Sequence, residues 1–174
     1  LMPSFNQVTD EFPEKKFLVH IKDSGKKIGY VLLKKFQQMD EKERANYSIY
    51  GNDEALKLIT NVYPEMKSFT RKTLQKGLLH YMMIGWTGYV PESIRNMGVH
   101  IPLKYARFLW GWPTKFIDRM ESVNSRVVLV MMKGAWSGGF DTKEDLDLIP
   151  NRYDAYIITD RIDITGPAVN GIST

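Results

Sequence analysis

The sequence predicts an α+β fold: a single domain with an antiparallel β-sheet, a few helices packed on it, and an extended N-terminal arm in front. Three observations carry that expectation. Phe17, Val19 and Ile21 alternate with Leu18, His20 and Lys22, and Ile28, Tyr30 and Leu32 resume the same period after Asp23-Ser24-Gly25. A capped helical stripe opens at Asn52. Strand and helix patterns do not alternate in the repeated β-α-β order that a parallel sheet requires.

In chain order, residues 1–14 (LMPSFNQVTDEFPE) hold two prolines and little periodicity, so they are read as the arm, with 15–174 as the globular domain. Residues 15–36 are read as a β-hairpin with Asp-Ser-Gly as its turn. The polar stretch from Gln37 leads into a short strand ending near Tyr50. A helix is expected over 53–63: Asn52 caps it, Asp53 and Glu54 suit its positive end, Ala55, Leu58, Ile59 and Val62 form its stripe, and Pro64 stops it. A second helix from about Ser68 places Phe69, Leu74, Leu78 and Tyr81 near helical spacing. Gly77 weakens it, and a strand over 78–86 is the rival. Residues 85–102 are punctuated by glycine and proline and read as loop. Strands are expected over 127–132, a continuous apolar run, and through AYIITDRIDIT, where Ile158, Ile162 and Ile164 keep the period. Trp136 is assigned to the core.

Composition bounds the chemistry. A chain of 174 residues suits one domain, and the absence of cysteine excludes disulfides, thiolate metal sites and cysteine nucleophiles. No apolar run reaches the roughly 18 residues that suggest a membrane span, and no secretory leader is expected. The net charge of +4 is unevenly laid out. Lysines crowd 15–35, basic residues dominate 67–119, and Asp141, Glu144, Asp145, Asp147, Asp154, Asp160 and Asp163 reverse the sign towards the end. That layout suits an anionic partner or head-to-tail self-association; a solvated surface of ordinary scatter is the plain alternative.

A search for reactive groups finds none with the required spacing. His20, His80 and His100 stand far apart, so neither a metal nor a cofactor is expected. DTKEDLDLIP lacks the glycine and the terminal glutamate of a calcium loop, and Asp141 is read as a helix cap. SGKK lacks the remaining residues of a phosphate loop, and Ser137 has no nucleophile-elbow context. An enzyme is therefore not expected. What remains is basic residues interleaved with aromatic ones, which suits single-stranded nucleic acid or a membrane interface as well as a plain core. YARFLWGWPTKF (105–116) concentrates that character. It reads as a corner with Phe108 and one tryptophan in the core and Trp112, beside Pro113, as the more exposed ring.

The order of features has a parallel. KKFLVHIKDSGKKIGYVLLKKF, then NDEALKLITNVYPEM, then RKTLQKGLLHYMMIGW, then HIPLKYARFLWGWP and RVVLVMMKG, together with Ile101-Pro102-x-x-Tyr105-x-Arg107-Phe108, resemble the globular domain of rhabdovirus matrix proteins, the plant-infecting branch included, across 15–134. The resemblance implies a non-enzymatic structural protein that self-associates, condenses the viral ribonucleoprotein and links it to the anionic envelope membrane during assembly and budding. It would act beneath the envelope and, in the host cytoplasm or nucleus, peripheral to membrane. Met2, Pro3 and Phe5 stand where the family's upstream segment docks on a neighbouring protomer. Lys15, Lys16, Lys26, Lys27, Lys67, Arg71, Lys72, Lys76 and Trp112 are the candidates for membrane or ribonucleoprotein binding. The family's strongly lysine-rich tail and the proline-tyrosine budding motif of some animal-infecting members are not in this sequence. A viral nucleic-acid-binding protein, binding RNA or suppressing silencing, is the alternative, and a small enzyme the second.

Overall fold

The computed structural model describes residues 2–22, 26–133 and 136–172, with the backbone alone at 133, 136–137 and 170–172. Its contacts divide the chain into two units, Leu1–Thr70 and Arg71–Thr174.

The first unit begins with α1 (Phe5–Glu11), so the expected extended arm is helical over its middle half. Its cause is local. The Ser4 hydroxyl accepts the Gln7 N–H, and the Gln7 side-chain oxygen accepts the Ser4 N–H at 2.8 Å, a reciprocal cap that starts a helix. Phe5 then stacks on Tyr47 with ring centroids 5.9 Å apart.

The elements that follow are β1 (Phe17–Ile21), α2 (Lys26–Gln37), α3 (Glu41–Arg44), β2 (Tyr47–Gly51), α4 (Asp53–Thr60) and β3 (Lys67–Phe69). The sheet order is β1-β2-β3 and both pairings are parallel, with Phe17 opposite Tyr47 and Ser48 opposite Lys67. The antiparallel sheet expected from the sequence is therefore incorrect here. Parallel neighbours need a crossover, and α2 and α4 provide the two crossovers. The supposed second hairpin strand is α2. Gly29, Leu32 and Phe36 are buried at helical spacing, a period that the alternation of Ile28, Tyr30 and Leu32 hides. The expected turn, Asp23-Ser24-Gly25, lies outside the described residues. The capped helix at 53 starts as expected, with the Asn52 side chain accepting the N–H groups of Glu54 and Ala55, but it ends at Thr60, three residues short of the expected 63, and Val62 of the expected stripe is exposed. Gly29 lets the two crossovers meet: a Cβ there would stand 2.9 Å from the Cα of Ala55. Between these helices and the sheet lie Ile21, Phe36, Tyr47, Ile49, Ala55 and Ile59.

The second unit runs α5 (Arg71–Ile84), 3₁₀ turns at Gly85–Thr87 and Glu92–Ile94, β4 (Gly98–Pro102), α6 (Leu103–Ala106), α7 (Thr114–Ser122), β5 (Arg126–Lys133), β6 (Trp136–Gly138), α8 (Lys143–Leu146), β7 (Tyr156–Ile157) and α9 (Ile162–Ile172). β5 is central and parallel to both β4 and β7, with Gly98 opposite Arg126 and Val128 opposite Tyr156. Among the described residues only β6 runs antiparallel, folding back on the end of β5. The core assignment of Trp136 falls on a side chain outside the description.

The strand expected through 156–164 shrinks to Tyr156–Ile157. Side chains take over its backbone groups: the Asp141 carboxylate accepts the Asp160 N–H at 2.8 Å, and the Thr159 hydroxyl accepts the Arg161 N–H at 2.9 Å. Asp141 is thus a brace for that turn, and Thr142 is the cap of α8. No helix among the described residues is long and apolar enough to cross a membrane.

His100, in β4, is a pH-sensitive point of this unit. Burial lowers its pKa from 6.5 to about 4, so the unfolded chain takes up a proton at a pH where the folded chain does not. The stabilisation is complete above pH ~6.5 and is lost as pH falls towards 4, at about 1.4 kcal/mol per pH unit. Urea unfolding followed at about pH 7 and about pH 5 should show a loss near 2 kcal/mol. His100→Gln should remove most of that difference, and an unchanged difference would place its source elsewhere.

Candidate interaction surface

The surface of interest is built on α5. Its buried side carries Leu74, Gly77 and Tyr81. Its exposed side carries Lys72, Lys76, Leu79 and Met83, and the 3₁₀ turn that follows adds Trp86. Those five positions advance by four, three, four and three residues, so they fall on one stripe of the helix. At about 1.5 Å per residue the stripe is roughly 20 Å long. Leu79, Met83 and Trp86 are 61%, 69% and 66% exposed, uncommon values for three large apolar side chains in a row. The stripe is segregated: cations occupy its N-terminal half and apolar groups its C-terminal half.

The tryptophan corner joins the apolar half. The Trp110 indole N–H donates to the Met82 carbonyl at 2.8 Å, so its ring, 48% exposed, lies beside the end of α5. Tyr105 and Phe108 are each half exposed, and each carries a cation over its ring, Lys104 at 4.7 Å and Arg107 at 4.8 Å. Residues 107–112 line a shallow concavity there. Trp112 is turned inward, with ring centroids 5.8 Å from Phe116 and 5.5 Å from Tyr153. The roles expected for this corner are therefore exchanged. Trp110 is the outer ring, Trp112 is packed, and Phe108 is exposed. Burial also pushes the Tyr153 phenol up, in keeping with a packed site on Trp112.

A buried polar knot holds these pieces. Tyr81 is fully buried, and its hydroxyl donates to the Trp110 carbonyl at 3.0 Å and accepts from the Arg119 guanidinium at 2.7 Å. Arg119 also donates to the Gly85 carbonyl at 2.7 Å. One phenol thus ties α5, α7 and the corner together.

The other predicted residues are dispersed. Arg71, Lys72 and Lys76 begin α5 and are exposed, whereas Lys67 lies in β3 of the first unit. Lys15 and Lys16 precede β1, and Lys26 and Lys27 open α2, all exposed. Of the arm residues, Met2 and Pro3 are exposed and Phe5 is seated on Tyr47. The sequence reading missed Leu79, Met83, Trp86 and Trp110. Leu79 and Met83 were discoverable from the helical reading of 68–83, since they extend the lysine positions at the same spacing, and Trp86 stands one further step beyond it. No protein-family model matches the chain, and no curated protein or solved structure is detectably similar to it.

Gly77 sets how α5 lies and so how the stripe is presented. A Cβ there would stand 2.2 Å from Ile94 Cγ2 and 2.7 Å from the Ser93 hydroxyl. Glycine to alanine in a free helix stabilises by up to ~1 kcal/mol. Here overpacking reverses the sign, and Gly77→Ala should destabilise by about 1–3 kcal/mol in chemical denaturation. A stabilised variant would show that α5 is not held against residues 93–94.

Proposed function

We propose that this chain is a viral matrix-type structural protein, non-enzymatic, that rests peripherally on anionic membrane and links it to a ribonucleoprotein. The observation that supports the membrane part is the segregated stripe of α5. Arg71, Lys72 and Lys76 supply attraction to an anionic surface, about 1 kcal/mol per cation near it and less with added salt. Leu79, Met83, Trp86 and Trp110 supply apolar area for the headgroup boundary, where indole rings are favoured. The feature order that resembles rhabdovirus matrix proteins points the same way. In vesicles containing phosphatidylserine, Met83→Ser with Trp86→Ser should lower binding about tenfold or more at any ionic strength, from the transfer free energy of two large side chains. Lys72→Glu with Lys76→Glu should lower it chiefly at low salt. Vesicle binding that ignores both pairs would refute the role of α5.

Self-association is the second part of this reading. It is supported by Met2 and Pro3, exposed ahead of a short helix whose Phe5 seats on a single aromatic cluster of Tyr47 and Phe17. A short terminal helix that docks through one face, with Phe5 on Tyr47 and Thr9 buried, is a segment that can be exchanged between copies. Deleting residues 1–11 should reduce higher oligomers in sedimentation velocity, and polymers that persist would make the segment incidental.

A further inference from the structure

A different surface, on the first unit, has a different pattern. α2 contains four lysines and no carboxylate. Its apolar side is already used: Gly29, Leu32 and Phe36 are buried in the core. On the opposite side Lys27, Tyr30, Val31 and Lys34 are all exposed, at helical spacing, with Gln37 and Gln38 continuing the row and Lys26 beside it. Tyr30 is 52% exposed and stands one turn from a lysine on each side. Lys35 faces another way, lining a cleft with Asp10 and Glu43, and is left out of this face.

We infer that this face of α2 binds single-stranded RNA, with Lys26, Lys27 and Lys34 on successive phosphates and the Tyr30 ring stacked on a base. It rests on the ribonucleoprotein side of the reading above and names the residues that would meet it. Charge complementarity favours a polyanion here. The arrangement within the face favours a nucleic acid over a membrane. In α5 cations and apolar groups stand at opposite ends, so an apolar end can sink into lipid. In α2 the aromatic ring is bracketed by cations, an order that offers alternating phosphate and base contacts. The apolar area exposed on this face of α2 is Val31 and the Tyr30 ring, set between lysines and not gathered at one end, because the main apolar stripe packs inward.

The test is fluorescence anisotropy of the full chain with a labelled oligouridylate, over a range of salt concentrations. Three phosphate contacts on a single strand should give a slope of log affinity against log salt near −2, about −0.7 per contact. Lys27→Glu with Lys34→Glu should lower affinity at least about tenfold and flatten that slope by about 1.4. Tyr30→Ala should weaken binding several-fold while leaving the slope unchanged, and the quenching of tyrosine emission on binding should be smaller in that variant than in the parent. Retained affinity and slope in the lysine pair would overturn the proposal, as would loss of vesicle binding in that pair with RNA binding intact. The Met83→Ser and Trp86→Ser variant separates the two readings: it should bind RNA normally. Should vesicle binding prove independent of α5 while RNA binding still depends on α2, the membrane reading fails and this one stands.

Discussion

The hydroxyl of Tyr81 is the point on which the second unit's exposed surface depends. A fully buried phenol must have partners, and this one has a donor and an acceptor from two separate segments. A typical hydrogen bond contributes only about 1 kcal/mol net, but leaving a buried polar group unpaired costs about 1–3 kcal/mol. The asymmetry makes the knot costly to break: this arrangement of α5, α7 and the corner satisfies Tyr81, Arg119 and the Gly85 carbonyl together. Arg119 also brings positive charge to a carbonyl just past the end of α5, where the last carbonyls have no helical partner. The back of the helix is thus held by polar geometry and by the edge-on packing of Tyr81 on Phe116, 5.1 Å between centroids. Turning the front of α5 inward would break these contacts. Leu79, Met83 and Trp86 lie on the side of the segment away from this knot and are exposed.

Several elements were legible in the sequence because their causes are local. The Asn52 cap and the acidic residues behind it act within one turn, and α4 begins where they place it. The apolar run of β5 needs no context. The reciprocal cap of Ser4 and Gln7 was equally local, yet two nearby prolines outweighed it in a reading by composition. Sheet direction was not legible. Ile28, Tyr30 and Leu32 satisfy a period of two, while Gly29, Leu32 and Phe36 satisfy a helical one, and only burial against α4 decides between them. Once 26–37 is helical, β1 and β2 are separated by a crossover and the parallel pairing follows. Near the C-terminus the same alternation misled for the opposite reason. Ile162 is 72% exposed, so the period there marks no buried face.

The candidate surfaces divide along the same line. Lysines are exposed almost wherever they occur, so their positions were readable, but which of them share a face required the helices. The order of burial at the tryptophan corner was set by residues far along the chain. Tyr153 covers Trp112, and the Met82 carbonyl draws Trp110 outward. The proline beside Trp112 carries no information about either partner. Gly77 shows the same override in reverse, since a residue that weakens an isolated helix is the one that lets this helix seat against Ile94.

The two basic faces differ in physics more than in charge. On α5 the charges and the apolar groups are separated along the axis, so they act in sequence. Cations are felt over about 8 Å at physiological salt, whereas apolar burial acts only at contact. A surface built this way is drawn in by one end and retained by the other, and salt weakens capture more than retention. On α2 the cations flank the one exposed ring, so charge and stacking act on the same few ångströms. Such a face discriminates by spacing, because its ligand must present anions on either side of something flat. A bilayer has mobile headgroups and no fixed spacing, whereas a nucleic-acid strand repeats phosphate and base at covalently set intervals. Segregation therefore suits an interface that must tolerate fluid neighbours, and interleaving suits one that must hold a polymer in register.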